Sequence, residues 1–313
     1  MAIYDCFTFY NEFELLELRL ELLYPVVDHF VICECNKTLR GDDKPFYFAE
    51  NKERFTKYLD KIINIQLTDP PMISQQRVKS NGNVFAGDWN IEIHQRNGIM
   101  RGLTHCQPDD LVIITDLDEI PNPEILLHLD EQPLHLPSPM KMKKAWLKTV
   151  MMMLLFLRDK IAIKRIVMGK GRVKDVLPYM PVALEFDLFY YFMNCKSRGL
   201  WHFPILSYYK NMFMPQVMRM SARSTPYIRQ AGWHLSYMGG LERIKKKMQS
   251  IVEGNDTYVK DDAYIFHCLD NGIDLFGRKG NEFTYDFLSL DQLDISNVKA
   301  FLEKYPYLYH EPK

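Results

Sequence analysis

The stretch LVIITDLDEIPNP, residues 111–123, is the strongest indicator of fold in this chain. Its first five residues carry no charge, as expected for a strand covered on both faces of a parallel sheet. The strand is followed at once by two aspartates, Asp116 and Asp118, and then by a turn with two prolines. Because side chains alternate along an extended backbone, both carboxylates are predicted on one side, where the strand ends. Such a pair suits Mg²⁺ or Mn²⁺ carrying a diphosphate, since these ions bind a few carboxylates and leave positions for phosphate oxygens.

The segments around this strand predict an α/β fold. Residues 3–9 are predicted to form a strand, residues 11–23 a helix and residues 27–35 a second strand. This βαβ order implies a parallel sheet. Residues 62–67 are predicted to form a third strand, and residues 89–103 have the apolar spacing of a helix.

The second half adds one long strand and two helices. Residues 182–193, VALEFDLFYYFM, are predicted to form a strand that carries Glu185 and Asp187 on one face. Residues 241–252 are predicted to form a basic amphipathic helix, and residues 298–305 a terminal helix. Because no internal repeat or low-complexity tract is present, we expect a single domain that spans all 313 residues.

Composition and charge exclude several classes of protein. With 47% hydrophobic residues the chain can bury a substantial core, which excludes a disordered protein. The formal net charge of -1 provides no overall field that would attract a nucleic acid, so no nucleic-acid partner is expected. The six cysteines are scattered among mostly apolar neighbours, as expected for free thiols in a reducing compartment. Since neither a signal-peptide pattern nor a long uncharged apolar run is visible, we expect a cytoplasmic protein.

A basic segment differs from the rest of the chain. Residues 138–179 are predicted to be an insertion in the domain, and residues 141–174 contain eight lysines and three arginines against one acid, Asp159. Within them, residues 150–157 (VMMMLLFL) are apolar all round a helix but too few to span a bilayer. Two interpretations remain open: a helix that lies on an anionic membrane surface, or a buried helix whose basic side chains reach outward. The first predicts a peripheral protein at the inner face of a membrane.

Six strings, taken together, resemble one family. They are IYDCFTFYNEFELLELRLELL, VVDHFVICECNKTLRG, QRNGIMRGL, DDLVIITDLDEIP, VALEFDLFYYFMN and AGWHLSYMGGLERIKKKMQS. In this order they resemble glycosyltransferase family 17. The resemblance implies a GT-A type fold, which is a nucleotide-sugar-binding α/β sandwich with a mostly parallel central sheet. It also implies inverting transfer of a sugar from a UDP-sugar, with UDP-GlcNAc as the expected donor, to a hydroxyl of a glycan or lipid-linked glycan.

The resemblance also assigns a metal site. Asp116 and Asp118 match the DxD motif, which would hold Mn²⁺ or Mg²⁺ and so neutralise charge on the leaving diphosphate. His234 in the Gly-Trp-His string is the expected third ligand, and Gly232 allows close approach of the backbone to phosphate. The alternative for His234 is a histidine in an aromatic cluster, bonded to a backbone carbonyl.

Inversion by direct displacement needs a general base beside the acceptor hydroxyl. Glu185 and Asp187 lie in the segment where this fold commonly presents that acid, and their spacing does not decide between them. The alternative is that either acid only holds a loop by accepting backbone hydrogen bonds.

Further contacts to the donor are predicted at the carboxyl ends of the first two strands, where open α/β sheets bind ligands. An aromatic ring there can stack on a base, and polar groups can hold the ribose. Arginines of the helix at residues 89–103 can meet the diphosphate. The residues given these donor-binding roles are Tyr10, Asn11, Glu12, Glu34, Arg96 and Arg101, together with Asp116 and Gly232.

Two other classes of protein also place carboxylates at the end of a strand. One is a metal-dependent phosphohydrolase or nucleotidyltransferase, but the sequence shows no second acidic or His-Asp cluster of the kind that a two-metal site requires. The other is a non-catalytic nucleotide-sugar-binding protein. Metal-dependent release of UDP from UDP-sugars distinguishes these classes from the transferase.

Overall fold

In the described residues, two large β-sheets with helices packed against them make up most of the fold, and two short strands form a third, separate sheet. The computed structural model of the chain describes residues 1–72, 89–137, 171–251 and 261–311, together with the backbone of two short strands between residues 73 and 88. In chain order the strands are β1 (Ile3–Thr8), β2 (His29–Cys35), β3 (Ile62–Leu67), β4 (Arg77–Val78), β5 (Val84–Phe85), β6 (Leu111–Asp116), β7 (Glu119–Pro121), β8 (Val182–Leu184), β9 (Phe186–Tyr190), β10 (Cys195–Trp201), β11 (Ile205–Tyr208), β12 (Tyr227–Ile228), β13 (Gly232–Ser236) and β14 (Tyr285–Phe287). The helices are α1 (Phe13–Leu23), α2 (Tyr47–Glu50), α3 (Asn90–Gly98), α4 (Pro123–Leu127), α5 (Val173–Val176), α6 (Pro215–Ser221), α7 (Gly240–Ser250), α8 (Asp262–Asn271) and α9 (Val298–Lys304).

The larger sheet has seven strands in the order β12-β8-β11-β6-β1-β2-β3. Strand β11 runs antiparallel to both of its neighbours, β6 and β8. The other pairings in this sheet are parallel. The sheet is therefore mostly parallel, as the sequence predicts, and the carboxyl ends of β6, β1 and β2 lie side by side at one edge.

The smaller sheet has five strands in the order β14-β10-β9-β13-β7. The chain leaves the larger sheet at Asp116, the last residue of β6, and enters the smaller sheet at Glu119, the first residue of β7. Leu117 and Asp118 form the connection. The two acids of the DLD sequence thus lie where the two sheets meet.

Alternate residues of β1 face apolar layers on opposite sides of the larger sheet. Phe7 belongs to the layer that contains Leu16 and Leu20 of α1. Cys6 belongs to the layer that contains Ile91 of α3. Because both faces are covered, these strands have nearly continuous apolar sequences.

The prediction of a single strand at residues 182–193 is wrong. The chain forms β8 in the larger sheet and β9 in the smaller one, and Glu185 separates them. The backbone N–H of Glu185 donates to the carbonyl of Ile228 at 2.8 Å, and its carbonyl accepts from the N–H of Ala231 at 2.9 Å. These bonds hold the chain where it changes sheet, and the alternating pattern of residues 182–193 does not indicate that change.

The predicted helices are confirmed. Those at residues 11–23, 241–252 and 298–305 correspond to α1, α7 and α9. The helix predicted at residues 89–103 is α3 followed by a short 3₁₀ turn, Ile99–Gly102.

Other predictions concern the basic insertion, membrane spans and the cysteines. Residues 138–170 of the predicted insertion lie outside the described residues, and the described part that follows contains the single-turn helix α5. Within the described ranges, no helix has both the length and the apolar character that crossing a membrane requires. All six cysteines are free thiols, as predicted.

Candidate active site

A cavity of about 680 Å³ opens at the carboxyl ends of β1, β2 and β6. Residues of α3, α6, β13 and α7 complete its walls. This is the edge at which open α/β sheets bind their ligands. Of the residues chosen from the sequence, the described lining includes Tyr10, Glu12, Arg96, Asp116, Asp118 and His234.

The turn after β6 is built around Arg19, a fully buried residue of α1. Its guanidinium pairs with Asp5 of β1 at 2.5 Å. The same group donates to the backbone carbonyls of Asp116 (2.9 Å), Leu117 (3.1 Å) and Glu119 (2.8 Å). One planar cation therefore holds three of the four carbonyls in the turn. Carbonyls left unpaired in the interior would be costly.

The fourth carbonyl of the turn connects it to β13. The carbonyl of Asp118 accepts from the N–H of Leu235 at 2.7 Å. Gly232 at the start of β13 permits the close pairing with β7, because a Cβ there would lie 2.3 Å from the carbonyl oxygen of Ile120. Gly232 thus serves strand packing in this structure, and it is not among the described residues that line the cavity.

The carboxylate of Asp116 is held between two arginines. Its Oδ1 lies 2.9 Å from Nη2 of Arg96, and its Oδ2 lies 2.6 Å from Nη2 of Arg219. Burial opposes the charged form of Asp116, but the positive charges of Arg219 and Arg96 outweigh it and lower its pKa. Arg219 also donates to both carboxylate oxygens of Glu119 at 2.6 Å. Asp116 and Glu119 therefore fix two guanidinium groups at the cavity wall.

The carboxylate of Asp118 has different partners. Its Oδ2 accepts from Nζ of Lys247 in α7 at 2.9 Å, and its Oδ1 lies 3.5 Å from Nε2 of His234. Burial opposes the charged form, but Lys247 and His234 outweigh it and hold the pKa of Asp118 far below its usual range. Burial likewise opposes the charge of Lys247, yet Asp118 and Glu12 raise the pKa of this lysine. Both Asp118 and Lys247 are therefore charged at neutral pH.

His234 lies beside an aromatic ring, as one interpretation predicted, but it faces a carboxylate rather than a backbone carbonyl, and its role as a metal ligand stays a prediction. Its ring packs against Trp201, with 4.4 Å between the ring centroids, and its Nε2 faces Asp118. Its Nδ1 is buried without a hydrogen-bond partner among the described residues. In the part of the chain that the structure describes, no group of three or more His, Cys, Asp or Glu side chains is arranged to hold a metal ion. Asp118 and His234 are the two predicted ligands that face each other.

Arg219 and Lys247 were not identified from the sequence. They lie 103 and 129 residues after the aspartates that they bind, so only folding brings them to the turn. Arg219 belongs to a short helix without a recognisable motif. Lys247 carried a weak signal, because it follows the buried Ile244 by three residues and precedes the buried Met248. A lysine on the apolar side of a helix needs a partner in the interior.

Only some of the donor-binding residues predicted at the ends of β1 and β2 line the cavity. Tyr10 and Glu12 line the cavity. Asn11 lies outside the described lining and donates its backbone N–H to Oε2 of Glu12 at 3.1 Å. Glu34 is fully buried, and its carboxylate accepts the backbone N–H groups of the first turn of α2 at 2.7 and 3.1 Å. Glu34 therefore anchors a helix beside the cavity.

Three other predicted site residues lie away from the described lining of the cavity. Glu185 faces Nε2 of His202 at 3.4 Å. Asp187 pairs with Nζ of Lys196 on the neighbouring strand β10 at 2.7 Å. Arg101 pairs with an exposed aspartate at 2.8 Å.

Comparison with known proteins gives the class of this protein. The family model for glycosyltransferase family 17 matches residues 1–162, which is more than half of the chain. The chain is therefore a glycosyltransferase. It belongs to glycosyltransferase family 17, as its sequence strings implied. The matched range contains the DLD turn and α3, whereas Glu185, Asp187 and His234 lie beyond it.

Curated relatives have one name in common. The chain is 34% identical over 121 residues to the human beta-1,4-mannosyl-glycoprotein 4-beta-N-acetylglucosaminyltransferase, an alignment that covers 38% of this chain and 22% of the human protein. The rat and mouse proteins of the same name are 34% and 33% identical over 121 residues, again covering 38% of this chain and 21% of each relative. The aligned stretch thus spans about a fifth of the length of these relatives.

Proposed function

We propose that this glycosyltransferase moves a sugar, with GlcNAc from UDP-GlcNAc as the first choice, to a hydroxyl of a glycan or lipid-linked glycan, with inversion. The observation that carries the proposal is the paired-acid turn at the cavity, in which Asp118 faces His234 and Lys247. The names of the mammalian relatives support GlcNAc as the sugar. A GT-A type fold is part of the proposal, supported by the mostly parallel sheet and by a DxD turn that connects it to a second sheet.

The residues at the turn fit a divalent metal. Asp118 and His234 bring a carboxylate oxygen and an imidazole nitrogen within 3.5 Å of each other at the cavity wall. Mn²⁺ or Mg²⁺ accepts such ligands and takes its remaining positions from phosphate and water oxygens. When bound, the ion would add positive charge beside the leaving diphosphate. Both oxygens of Asp116 are bonded to arginines, so we assign that residue to holding Arg96 and Arg219. Asp118 uses Oδ2 for Lys247 but directs Oδ1 toward the imidazole of His234, the other proposed ligand, so Asp118 is the acid that we propose for the metal.

Three cations of the chain lie at the cavity wall beside the paired acids and would act on the diphosphate directly. Arg96, Arg219 and Lys247 all line the cavity, and each is fixed by a carboxylate of the turn. Donors held in place before the reaction stabilise developing negative charge without reorganising. The three side chains would therefore favour departure of UDP from the anomeric carbon.

The base must deprotonate the acceptor hydroxyl from within the cavity. Glu185 and Asp187 were predicted for this role, and Glu92 of α3 is a further candidate because it lines the cavity. Burial raises the pKa of Glu92 even though Arg96 lies 2.9 Å away, and a carboxylate with a raised pKa accepts a proton more readily. Glu92→Gln, Glu185→Gln and Asp187→Asn are to be compared. Loss of the base lowers kcat and leaves the Kd for UDP unchanged.

The proposed acceptor, a lipid-linked glycan, is inferred from the basic segment at residues 141–174. Its charge and apolar centre support a cytoplasmic enzyme that acts at an anionic membrane surface on a lipid-linked glycan. Co-sedimentation with anionic vesicles tests this idea. If the chain does not bind, or binds equally well after deletion of residues 150–157, a soluble acceptor is indicated.

The central experiment measures release of UDP from UDP-GlcNAc, UDP-Glc, UDP-Gal and UDP-GalNAc, with Mn²⁺ or with EDTA and with a panel of glycan acceptors. We expect acceptor-stimulated, metal-dependent release that is fastest with UDP-GlcNAc. Hydrolysis of unrelated phosphoesters at a comparable rate would instead indicate a phosphohydrolase. Binding of UDP-sugars without any turnover would indicate a non-catalytic binding protein.

A further inference from the structure

The ammonium group of Lys44 is buried at the cavity without a hydrogen-bond partner. Lys44 lines the cavity, and only 8% of the residue is exposed. Its Nζ has no hydrogen-bond acceptor among the residues that the structure describes. Because an unpaired ammonium in the interior is costly, such a group indicates a partner that arrives with a ligand.

The surroundings of Lys44 do not supply that partner. The rings of Tyr10 and Tyr47 each lie 5.4 Å from Nζ and present no oxygen at hydrogen-bond distance. Glu34 acts on Lys44 through its charge, but its oxygens are occupied by backbone N–H groups of α2. Burial lowers the pKa of Lys44 in spite of the nearby carboxylates, first Glu34 and then Glu12.

The loop that carries Lys44 is held by backbone hydrogen bonds at the point from which the side chain extends. The backbone N–H of Lys44 donates to the carbonyl of Asn36 at 3.0 Å, and the N–H of Thr38 donates to the carbonyl of Asp42 at 2.8 Å. The loop after β2 therefore folds back on itself and returns Lys44 to the end of the strand. The side chain is held ready for a ligand, which reduces the entropy lost on binding.

The strands that precede the Lys44 loop and the paired-acid turn are separated by one strand. β1 lies between β2, which precedes the Lys44 loop, and β6, which precedes Asp116. Two strand spacings are about 10 Å. A nucleoside diphosphate whose phosphates meet Arg96 and Arg219 can thus extend its base toward Lys44, and Tyr10 at the end of β1 offers a ring on the way.

We propose that Lys44 donates a hydrogen bond to the C4 carbonyl of the donor's uracil and so selects uridine over cytidine nucleotides. This inference rests on the proposed nucleotide-sugar donor. The C4 position is the part of the base farthest from the ribose, so it would extend deepest toward the Lys44 side of the cavity. An ammonium is a donor only, so it can donate to the C4 carbonyl of uracil but finds no acceptor in the exocyclic amine of cytosine.

The experiment compares Lys44→Met with Lys246→Met by calorimetric titration of UDP, CDP and inorganic pyrophosphate in the presence of Mn²⁺. Lys246 is the matched control because its Nζ lies over the same two rings but belongs to an exposed residue. We expect Lys44→Met to weaken UDP by about tenfold or more and to change CDP and pyrophosphate by less than about threefold. Lys246→Met should change all three by less than about threefold.

Two results would overturn the role of Lys44. One is unchanged UDP affinity in Lys44→Met, and the other is an equal loss for UDP and pyrophosphate or for UDP and CDP. Lys44→Gln, which keeps an N–H donor, should recover part of the UDP affinity and guards against a folding defect in the methionine variant. Failure of the wild-type chain to bind any of the three ligands would instead refute the proposed nucleotide-sugar site.

Discussion

The two ends of the cavity differ in how their polar groups are satisfied. At the turn after β6, Arg19 and the N–H of Leu235 pair all four backbone carbonyls from Asp116 to Glu119. At the end of β2, the ammonium of Lys44 is buried without a hydrogen-bond acceptor in the described part of the chain.

The turn after β6 is thus suited to preorganised stabilisation of charge, and Lys44 is suited to recognition of a ligand. Groups that are paired within the protein, such as the four carbonyls of the turn, hold their positions whether or not a ligand is present, so they suit a site that stabilises developing charge. Two ring or guanidinium nitrogens beside the turn, Nδ1 of His234 and Nε of Arg96, have no partner among the described residues. A group without a partner gains one only when a ligand binds, so it suits discrimination between ligands. Substitutions at the turn should therefore damage catalysis or stability, and substitution of Lys44 should not reduce stability.

The largest expected effect is that of Asp118→Asn. The variant loses a proposed metal ligand and leaves the half-buried Lys247 beside a neutral amide, so we expect transferase activity to fall by about 10³-fold. The metal-dependent rise in melting temperature with UDP should also disappear. The matched control is Asp109→Asn, since Asp109 is an exposed aspartate paired with a surface lysine. If Asp118→Asn retains the metal-dependent shift, the assignment of Asp118 as a ligand is wrong.

Arg19→Lys should disrupt the turn after β6, because Arg19 holds three of its backbone carbonyls. A lysine keeps the charge beside Asp5 but lacks the planar fork that reaches three carbonyls, so the turn loses its fixed shape. We expect kcat/KM to fall by about 10²-fold, measured well below the melting temperature. Leu20→Ala, a cavity-forming change in the same helix, is the control for lost stability alone. Equal activities in the two variants at matched stability would show that Arg19 does not position the turn.

Gly232→Ala tests the strand pairing that positions His234. A Cβ at this position would lie 2.3 Å from the carbonyl of Ile120, so β13 must shift away from β7. We expect a loss of about 1–3 kcal/mol in the free energy of unfolding, measured by urea titration, with a smaller loss of activity. Gly240→Ala is a useful comparison because nothing lies within 4 Å of its added Cβ, although its backbone φ is also positive. An unchanged stability for Gly232→Ala would contradict the close pairing.

Lys44→Met should change stability in the opposite direction. Removal of a buried ammonium that has ring contacts but no hydrogen-bond acceptor among the described residues is expected to raise the free energy of unfolding at pH 7 by about 1 kcal/mol. The folded-state pKa of Lys44 is lowered, so the unfolded chain binds its proton more tightly. Wild-type stability should therefore rise with pH from that lowered pKa up to the ordinary lysine value of about 10.4, and the advantage of the variant should shrink. A variant less stable than wild type at pH 7 would show that Lys44 is already paired.

Arg101→Ala should have the smallest effect. Arg101 forms an exposed ion pair with Asp69 and lies outside the described lining of the cavity. Surface pairs of this kind contribute about 0–1 kcal/mol, so we expect almost no change in stability or in the Kd for UDP. A large loss of UDP affinity would show that the donor reaches farther along α3 than the cavity indicates.

The main strands and helices could be predicted from the sequence because the residue patterns that specify them are local. The strands at β1, β2, β3 and β6 are apolar runs with clear ends, and α1 and α7 have helical spacing, so their existence could be predicted from short windows. The strand predicted at residues 182–193 was wrong because the change of sheet at Glu185 depends on backbone bonds to Ile228 and Ala231, which are distant in the chain. The same limit applies to the predicted base, since Glu185 and Asp187 were chosen by their segment alone.

What the sequence alone determined is the family and the position of the paired acids. The DLD string at the end of an apolar strand fixes Asp116 and Asp118 at the carboxyl edge of a parallel sheet, because that strand can pack only in the interior. What only the tertiary structure decided is which charge each acid meets. Arg219 and Lys247 join the turn from distant helices, and α1 supplies the buried Arg19. Electrostatic partners are set by distance in space, and a sequence records distance only along the chain.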